Sequence, residues 1–267
     1  TNIRYYDDDD LKKVLNVALL NRNGLKISLI AGLGDDELHS KISDLSKRNQ
    51  DSESMIENLV IAMIELDEKK FEKILSRTIM QDGFEETILY TVYPFLQKIG
   101  LLWQTGAINP AQEHFISNLV RQKLIVAIDD IIEEERDDNK PVKRFVLFLP
   151  EGELHEIGLL FYDYLIRKRG HRVIYLGQSV PLNDLESVVE IRSCDFLFTS
   201  FSSSISGIDF REYLEQLSRK FANQLVLFSI YDPESVRNDL PGNIKMIENT
   251  VDFLDFLEKI GEKEKAE

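Results

Sequence analysis

The sequence predicts a mixed fold in which a helical N-terminal part is followed by an α/β domain built on a parallel sheet. From residue 51 to residue 135 the apolar residues recur with the period of an amphipathic helix. After Pro141 short apolar runs alternate with helical stretches, which is the pattern of consecutive βα units. The 267 residues are enough to bury a core in each part.

Residues 1–48 form a separate N-terminal block. Five apolar residues between Leu11 and Leu19 lie on one face of a predicted helix that ends at Gly24, and a shorter helix follows at Ile27 to Leu33. Two short helices do not make a domain that folds alone. Since Thr1 begins inside what resembles the end of a turn or strand, we expect that an upstream part is missing.

Residues 49–140 are predicted to form an antiparallel four-helix bundle and a linker. Pro94 predicts a kink in the third helix, and Asn109-Pro110 is a cap with a first-turn proline at the start of the fourth. The helices are marked by Met55 to Leu66, Phe71 to Thr78, Phe84 to Trp103 and Pro110 to Ile128. An acidic linker follows and ends at Pro141.

Residues 141–267 are predicted to form a flavodoxin-like, doubly wound sheet of five parallel strands. The strands are Phe145 to Leu149, Val173 to Leu176, Phe196 to Thr199, Leu225 to Phe228 and Ile244 to Ile247. Ligands of such folds bind beyond the carboxyl ends of the strands.

Composition excludes several functional classes. The net charge is −15, and residues 1–48 carry eight basic and eight acidic residues, so the whole excess lies after them. Such a field repels nucleic acid at long range, which argues against nucleic-acid binding through the whole surface, and the N-terminal block differs in kind from the rest. No apolar run approaches the roughly 20 residues of a membrane-spanning helix. Because Cys194 is the single cysteine, an intrachain disulfide is excluded, and the cytoplasm is the expected compartment. Its apolar neighbours favour a buried strand residue over a catalytic thiol.

The loop after the first predicted strand holds a candidate metal-binding pair. Glu153 stands two residues before His155, and a carboxylate that accepts an imidazole N–H fixes the tautomer and raises ligand basicity. Alternatively, His155 is an exposed residue with an incidental acidic neighbour. One histidine and one glutamate do not complete a metal site, so an ion here would need most of its ligands from a cofactor.

A second candidate group lies at one end of the predicted bundle. Trp103 ends the third helix and Glu113-His114 begin the fourth, with nine residues between Trp103 and Glu113. One interpretation is that the three side chains together cap a planar ligand. The other is that Trp103 lies in the core, Glu113 interacts with the helix dipole and His114 lies at the surface. Serines after the third strand, including Ser200 and Ser202, are either ligand contacts or a flexible loop, whereas His39 and His171 are expected at the surface.

Three segments resemble the light-sensing, cobalamin-dependent repressors of the MerR type. They are Trp103-x9-Glu113-His114, the run Pro110 to Arg121, and Glu153-x-His155-x-x-Gly158. In addition, Arg4 to Leu11 and the helices after it resemble the end of a winged helix-turn-helix domain. The match covers almost the whole chain, and it implies a regulator without enzymatic turnover.

The resemblance implies a role for each matching residue. His155 would be the lower axial cobalt ligand, and Trp103 and Glu113 would contact the upper adenosyl group of adenosylcobalamin. His114 would replace that group after light breaks the cobalt–carbon bond. Arg4, Lys12 and Lys13 are candidate phosphate contacts to operator DNA, although they also fit a solvated helix surface. A homo-oligomer is expected, and no membrane partner is.

Three positions depart from the family pattern. Glu153 replaces the usual aspartate, and Ser200-Phe201-Ser202 matches the usual serine pattern only loosely. Ser229-Ile230 replaces the Gly-Gly pair that lies beside the buried nucleotide tail of cobalamin, which predicts a narrower tail pocket. Two alternatives follow: a regulator of this fold that has lost cobalamin and acts through protein contacts, or a corrinoid carrier module of an enzyme.

Overall fold

The computed structural model describes Val17, Leu20 and residues 25–131, 141–201, 210–230 and 240–261. The candidate DNA contacts Arg4, Lys12 and Lys13, most of the first predicted helix, and Ser202 lie outside these residues. The chain divides into two compact units, residues 1–117 and 118–267. Within the described residues, no helix is both long and apolar enough to span a membrane.

The first unit is helical, as predicted. Its apolar interior includes Leu59, Met63 and Leu75, and the rings of Phe71 and Phe95 lie 6.0 Å apart. Its helices are α1 (Ile27–Ile30), α2 (Asp35–Ile64), α3 (Glu68–Asp82), α4 (Phe84–Thr87), a π-helical turn (Ile88–Val92), α5 (Tyr93–Gln104) and the start of α6 (Pro110–Asp129).

The helix predicted to bend at Pro94 changes its hydrogen-bond pattern one turn earlier. Residues Ile88–Val92 form a π-helical turn between α4 and α5, and Pro94 stands in the first turn of α5. Proline has no backbone N–H to donate to the preceding turn, so an irregularity just before it is expected on physical grounds. The sequence therefore located the irregularity correctly to within a turn but not its type.

Helix α2 is much longer than the helix predicted from Met55 onward. It begins at Asp35, and its 30 residues cross position 48, where the predicted N-terminal block ends. The predicted boundaries at residues 48 and 140 stay predictions, since a continuous helix does not by itself define a domain.

The second unit confirms the predicted flavodoxin-like sheet. All five strands pair in parallel in the order β2-β1-β3-β4-β5. The strands are β1 (Arg144–Pro150), β2 (Arg172–Val180), β3 (Phe196–Phe201), β4 (Leu225–Ile230) and β5 (Ile244–Ile247). The helices that follow β1, β2, β3 and β5 are α7 (Ile157–Lys168), α8 (Leu182–Ile191), α9 (Phe210–Lys220) and α10 (Thr250–Gly261).

The sheet is apolar on both faces, as a doubly wound sheet must be. On one face Phe148, Leu197 and Phe228 pack in a cluster with Leu185 of α8 and Leu217 of α9. On the other face the aromatic residues of β3 pack against α7 and α10, which places the polar ends of β3 and β4 between those two helices.

Candidate functional site

The loop between β1 and α7 is fixed by hydrogen bonds to the end of β2. The N–H of Gly152 donates to the Ser179 hydroxyl at 3.1 Å, and the N–H of Ser179 donates to the Glu153 carbonyl at 3.1 Å. The Gln178 amide donates to the Leu154 carbonyl at 2.8 Å. The loop therefore presents its side chains from a defined backbone.

Glu153 holds His155 in one orientation. The Glu153 side chain is 3% exposed, and its Oε1 accepts the backbone N–H groups of Leu154 and His155 at 2.9 Å each. The same oxygen lies 2.7 Å from Nδ1 of His155, whose side chain is 74% exposed. Because Nδ1 faces the carboxylate, Nε2 is the ring nitrogen on the opposite side. The longer glutamate, one of the three departures, thus reaches the imidazole.

A second buried carboxylate beside His155 was not predicted. The Glu156 side chain is 7% exposed; Arg121 of α6 donates to its Oε1, and the Tyr175 hydroxyl donates to its Oε2 at 3.0 Å. Burial, and then the charge of Glu156, raise the pKa of Tyr175, so this phenol stays protonated as a donor. No local pattern in the sequence links these three residues, although Arg121 closes one of the segments that carry the resemblance.

Four residues connect the ends of β3 and β4 to α7. Ser200 and Ser229 are partners in the sheet register, and the Ser229 hydroxyl donates to the Ser200 hydroxyl at 3.0 Å. A Cβ added to Gly158 would lie 3.9 Å from the Ser200 hydroxyl oxygen. Tyr162, also on α7, is hydrogen-bonded through its hydroxyl to Ser229, and burial raises its pKa to about 12. Of the predicted set, Gly158, Ser200 and Ser229 are thus brought together, and Tyr162 was missed.

In the first unit, Trp103 and Glu113-His114 flank the short loop between α5 and α6. The Trp103 residue is 55% exposed, so it is not the core indole of the alternative interpretation. Nδ1 of His114, whose side chain is 72% exposed, lies 2.7 Å from Oε2 of Glu113. The Ser117 hydroxyl donates to the other oxygen of Glu113. An exposed indole and a carboxylate-bound imidazole therefore stand at the two helix ends.

The first turn of α6 is anchored to the end of α2. Gln112 and Asn109 form a reciprocal cap, with the N–H of Gln112 donating to Oδ1 of Asn109 at 3.0 Å and the N–H of Asn109 donating to Oε1 of Gln112 at 3.1 Å. The Gln112 side-chain amide also donates to the Ile64 carbonyl at 3.4 Å. Gln112, the residue before Glu113, is thus hydrogen-bonded both to Asn109 and to the end of α2.

The remaining residues singled out in the sequence have structural surroundings. His171 was expected at the surface, but it is 5% exposed beside Phe145, and burial lowers its pKa. Cys194 was expected as a buried strand residue, but it is half-buried and lies two residues before β3. Burial raises the pKa of its thiol to about 11, which disfavours a nucleophilic thiolate. His39 lies in α2. Within the described part of the chain, no three His, Cys, Asp or Glu side chains form a metal site.

A sequence profile described as the B12 binding domain matches residues 55–128. The transcriptional repressor CarH of Myxococcus xanthus is 28% identical over 228 residues, which are 80% of this chain and 72% of that protein. The repressor CarA of the same organism is 26% identical over 231 residues, 83% of this chain and 71% of that protein.

A solved structure of the Methanosarcina barkeri monomethylamine corrinoid protein superposes with a TM-score of 0.60. It is 14% identical and covers 78% of this chain and 99% of that protein, so it shows the fold alone. Together these findings confirm the predicted relationship: the chain has a B12 binding domain and is homologous to CarH and CarA. These named homologues are repressors rather than enzymes.

The residues of the second unit fit one end of a cobalamin-type cofactor and not the other. The Glu153–His155 pair offers an oriented imidazole of the kind that binds a metal. Beside Ser229, where the resemblance places the nucleotide tail, the Tyr162 side chain is buried and packs on Phe198.

Proposed function

We propose that this chain is the sensor part of a DNA-binding transcriptional repressor, and that it binds a cobalt corrinoid with His155 as the lower axial ligand. The comparisons support the coarser statement, a B12-binding transcriptional regulator. The observation that carries the finer proposal is the contact of 2.7 Å between Glu153 Oε1 and His155 Nδ1.

A bound adenosyl corrinoid would supply a cobalt ion that protein side chains can bind and a cobalt–carbon bond sensitive to light. Glu153 Oε1 accepts a hydrogen bond from Nδ1–H of His155, which leaves Nε2 as the ring nitrogen that can bind a metal. The two backbone N–H groups on Glu153 hold this carboxylate in place. The imidazole is therefore oriented before a ligand arrives, which lowers the entropic cost of coordination.

In the first unit we propose that Trp103 covers the upper side of the corrin ring. Its exposed indole offers an apolar surface of the size that a planar ligand covers. Glu113 is proposed to accept a hydrogen bond from the adenosyl group. His114, held by Glu113 at 2.7 Å, is proposed as the upper ligand once that group has left.

Membership of the MerR type, operator DNA as partner, a light-controlled homo-oligomer and a cytoplasmic location belong to the same proposal. The homologous repressors support the DNA partner. Because the whole net charge of −15 lies after residue 48, contacts to phosphate are expected from the N-terminal block.

The test compares the parent chain with His155→Ala and with the control Glu151→Ala, which alters an exposed carboxylate of the same loop. Each protein is mixed with adenosylcobalamin in the dark and gel-filtered, and its visible spectrum and its mass by light scattering are recorded before and after illumination. We expect the parent and the control to retain the corrinoid and to change mass with light, and His155→Ala to lose the spectral signature of the histidine ligand.

Other outcomes identify the alternatives. A retained corrinoid with the same mass in the dark and in light would favour a corrinoid carrier module, whose fold the Methanosarcina barkeri protein shares. No retained corrinoid in the parent would favour a regulator that acts through protein contacts alone. An unchanged spectrum in His155→Ala would remove the assigned ligand.

A further inference from the structure

The space between α7 and α10 at the ends of β3 and β4, here called the α7–α10 slot, is filled by a tyrosine. Tyr162 is 7% exposed. Its ring centroid lies 4.4 Å from that of Phe198 in β3 and 4.8 Å from that of Phe253 in α10, edge to face in the second case. Phe198 and Phe253 also contact each other at 5.2 Å. Three rings are therefore packed together beside Ser229, where the resemblance places the nucleotide tail.

The polar groups of the slot are satisfied by one another. The Tyr162 hydroxyl is hydrogen-bonded to the side chains of Ser229 in β4 and Thr250 in α10. Ser229 gives its single hydroxyl proton to Ser200 at 3.0 Å. A ligand that entered here would have to replace this network and displace a buried ring, and both are costly.

The residue that closes the slot is Tyr162 and not Ile230. Successive residues of a strand face opposite sides of the sheet, so Ile230 points away from Ser229. Accordingly, Ile230 packs with the cluster of Phe148 and Phe228 on the face covered by α8 and α9. The departure noted at Ser229-Ile230 therefore acts through Ser229, which anchors the Tyr162 hydroxyl.

We propose that the site takes the corrin ring alone, with the nucleotide arm left in solvent, so that its ligand class is any cobalt corrinoid, complete or lacking the nucleotide. This inference rests on the proposed function, since it concerns the ligand of the same site. In free cobalamin the benzimidazole of the arm occupies the lower cobalt position that His155 must take. Without a slot to hold the displaced arm, nothing offsets that displacement.

The expected result is a preference for the shorter corrinoid. In absorbance titrations of the parent chain, aquocobinamide, which lacks the nucleotide, should bind about tenfold tighter than hydroxocobalamin. Tyr162→Val should open the slot and improve hydroxocobalamin binding, while aquocobinamide binding stays unchanged. Tyr164→Val is the matched control, because Tyr164 is a tyrosine of the same helix, 6% exposed, that stacks on Phe161.

The comparison in the parent chain needs no variant, so it decides the inference even if Tyr162→Val fails to fold. A preference for aquocobinamide of more than about threefold supports it. A smaller preference, equal affinities or a preference for hydroxocobalamin overturns this inference and leaves the proposed function in place. If neither corrinoid binds, the proposed function fails and this inference fails with it.

Discussion

Replacing Glu153 by glutamine tests the contact on which the proposed cobalt ligand depends. The Glu153 carboxylate is buried, and its Oε1 accepts two backbone N–H groups and faces Nδ1 of His155. Glutamine keeps the shape and one acceptor oxygen but removes the charge, and hydrogen bonds to an ionised acceptor are about twice as strong as neutral ones. With a net worth of about 1.5–3 kcal/mol for charged hydrogen bonds, we expect the loop to lose about 1–2 kcal/mol.

The same substitution should weaken corrinoid binding. Loss of the carboxylate behind a metal-bound histidine typically lowers metal affinity about 10–100-fold, or about 1.4–2.7 kcal/mol. Absorbance titration with aquocobinamide measures this directly for the parent, Glu153→Gln and Glu151→Gln. The last variant makes the same change at an exposed position of the loop and should bind like the parent.

The reasoning is refuted if Glu153→Gln binds aquocobinamide within about twofold of the parent while His155→Ala loses binding. That combination would mean that His155 binds the metal without help from the carboxylate. Equal losses in Glu153→Gln and Glu151→Gln would instead mean that loop charge, rather than the oriented imidazole, controls binding.

Three further predictions concern single side chains. Arg121→Met leaves the buried Glu156 without its cation and should lower the free energy of unfolding by about 2 kcal/mol in urea titrations followed by circular dichroism. Burial lowers the pKa of His171, so below about pH 6.5 the unfolded chain binds more protons than the folded chain, and the free energy of unfolding should decrease. Thermal scans at pH 7 and pH 5 should show a smaller decrease in melting temperature for His171→Gln than for the parent. Because the pKa of Cys194 is raised from 9.0 to about 11, iodoacetamide at pH 8 should alkylate it about a hundredfold more slowly than an unperturbed thiol, and comparable rates would contradict the assignment.

Much of the fold could be predicted because its signals are local. The five strands are short apolar runs bounded by turn residues, and the structure has each of them in the predicted place and order. The first half of α2 was missed because residues 35–54 are mostly polar: Leu38, Ile42 and Leu45 have helical spacing, but residues 46–54 continue it with no apolar residue. The π-helical turn has no periodicity of its own within five residues.

In the candidate site, contacts between sequence neighbours could likewise be predicted, whereas contacts made by tertiary packing could not. Glu153 and His155 are two residues apart, so the sequence could mark the pair, although spacing alone left an incidental neighbour as the alternative. Glu156 accepts hydrogen bonds from Arg121, 35 residues before it, and from Tyr175, 19 residues after it. Tyr162 meets Ser229 only because β3 and β4 pair in one register and α7 packs on that face. Such pairs depend on tertiary packing, and no local pattern contains them.

Helix α2 connects Asp35 to Ile64 as one continuous helix. Its 30 residues extend for about 45 Å without a break, so a tilt of about 5° at one end moves the other by about 4 Å. At the other end, the Ile64 carbonyl accepts a hydrogen bond from the side chain of Gln112. Gln112 directly precedes Glu113 and His114 in the sequence. A tilt of α2 at the Ile64 end would therefore displace Asp35 at the opposite end.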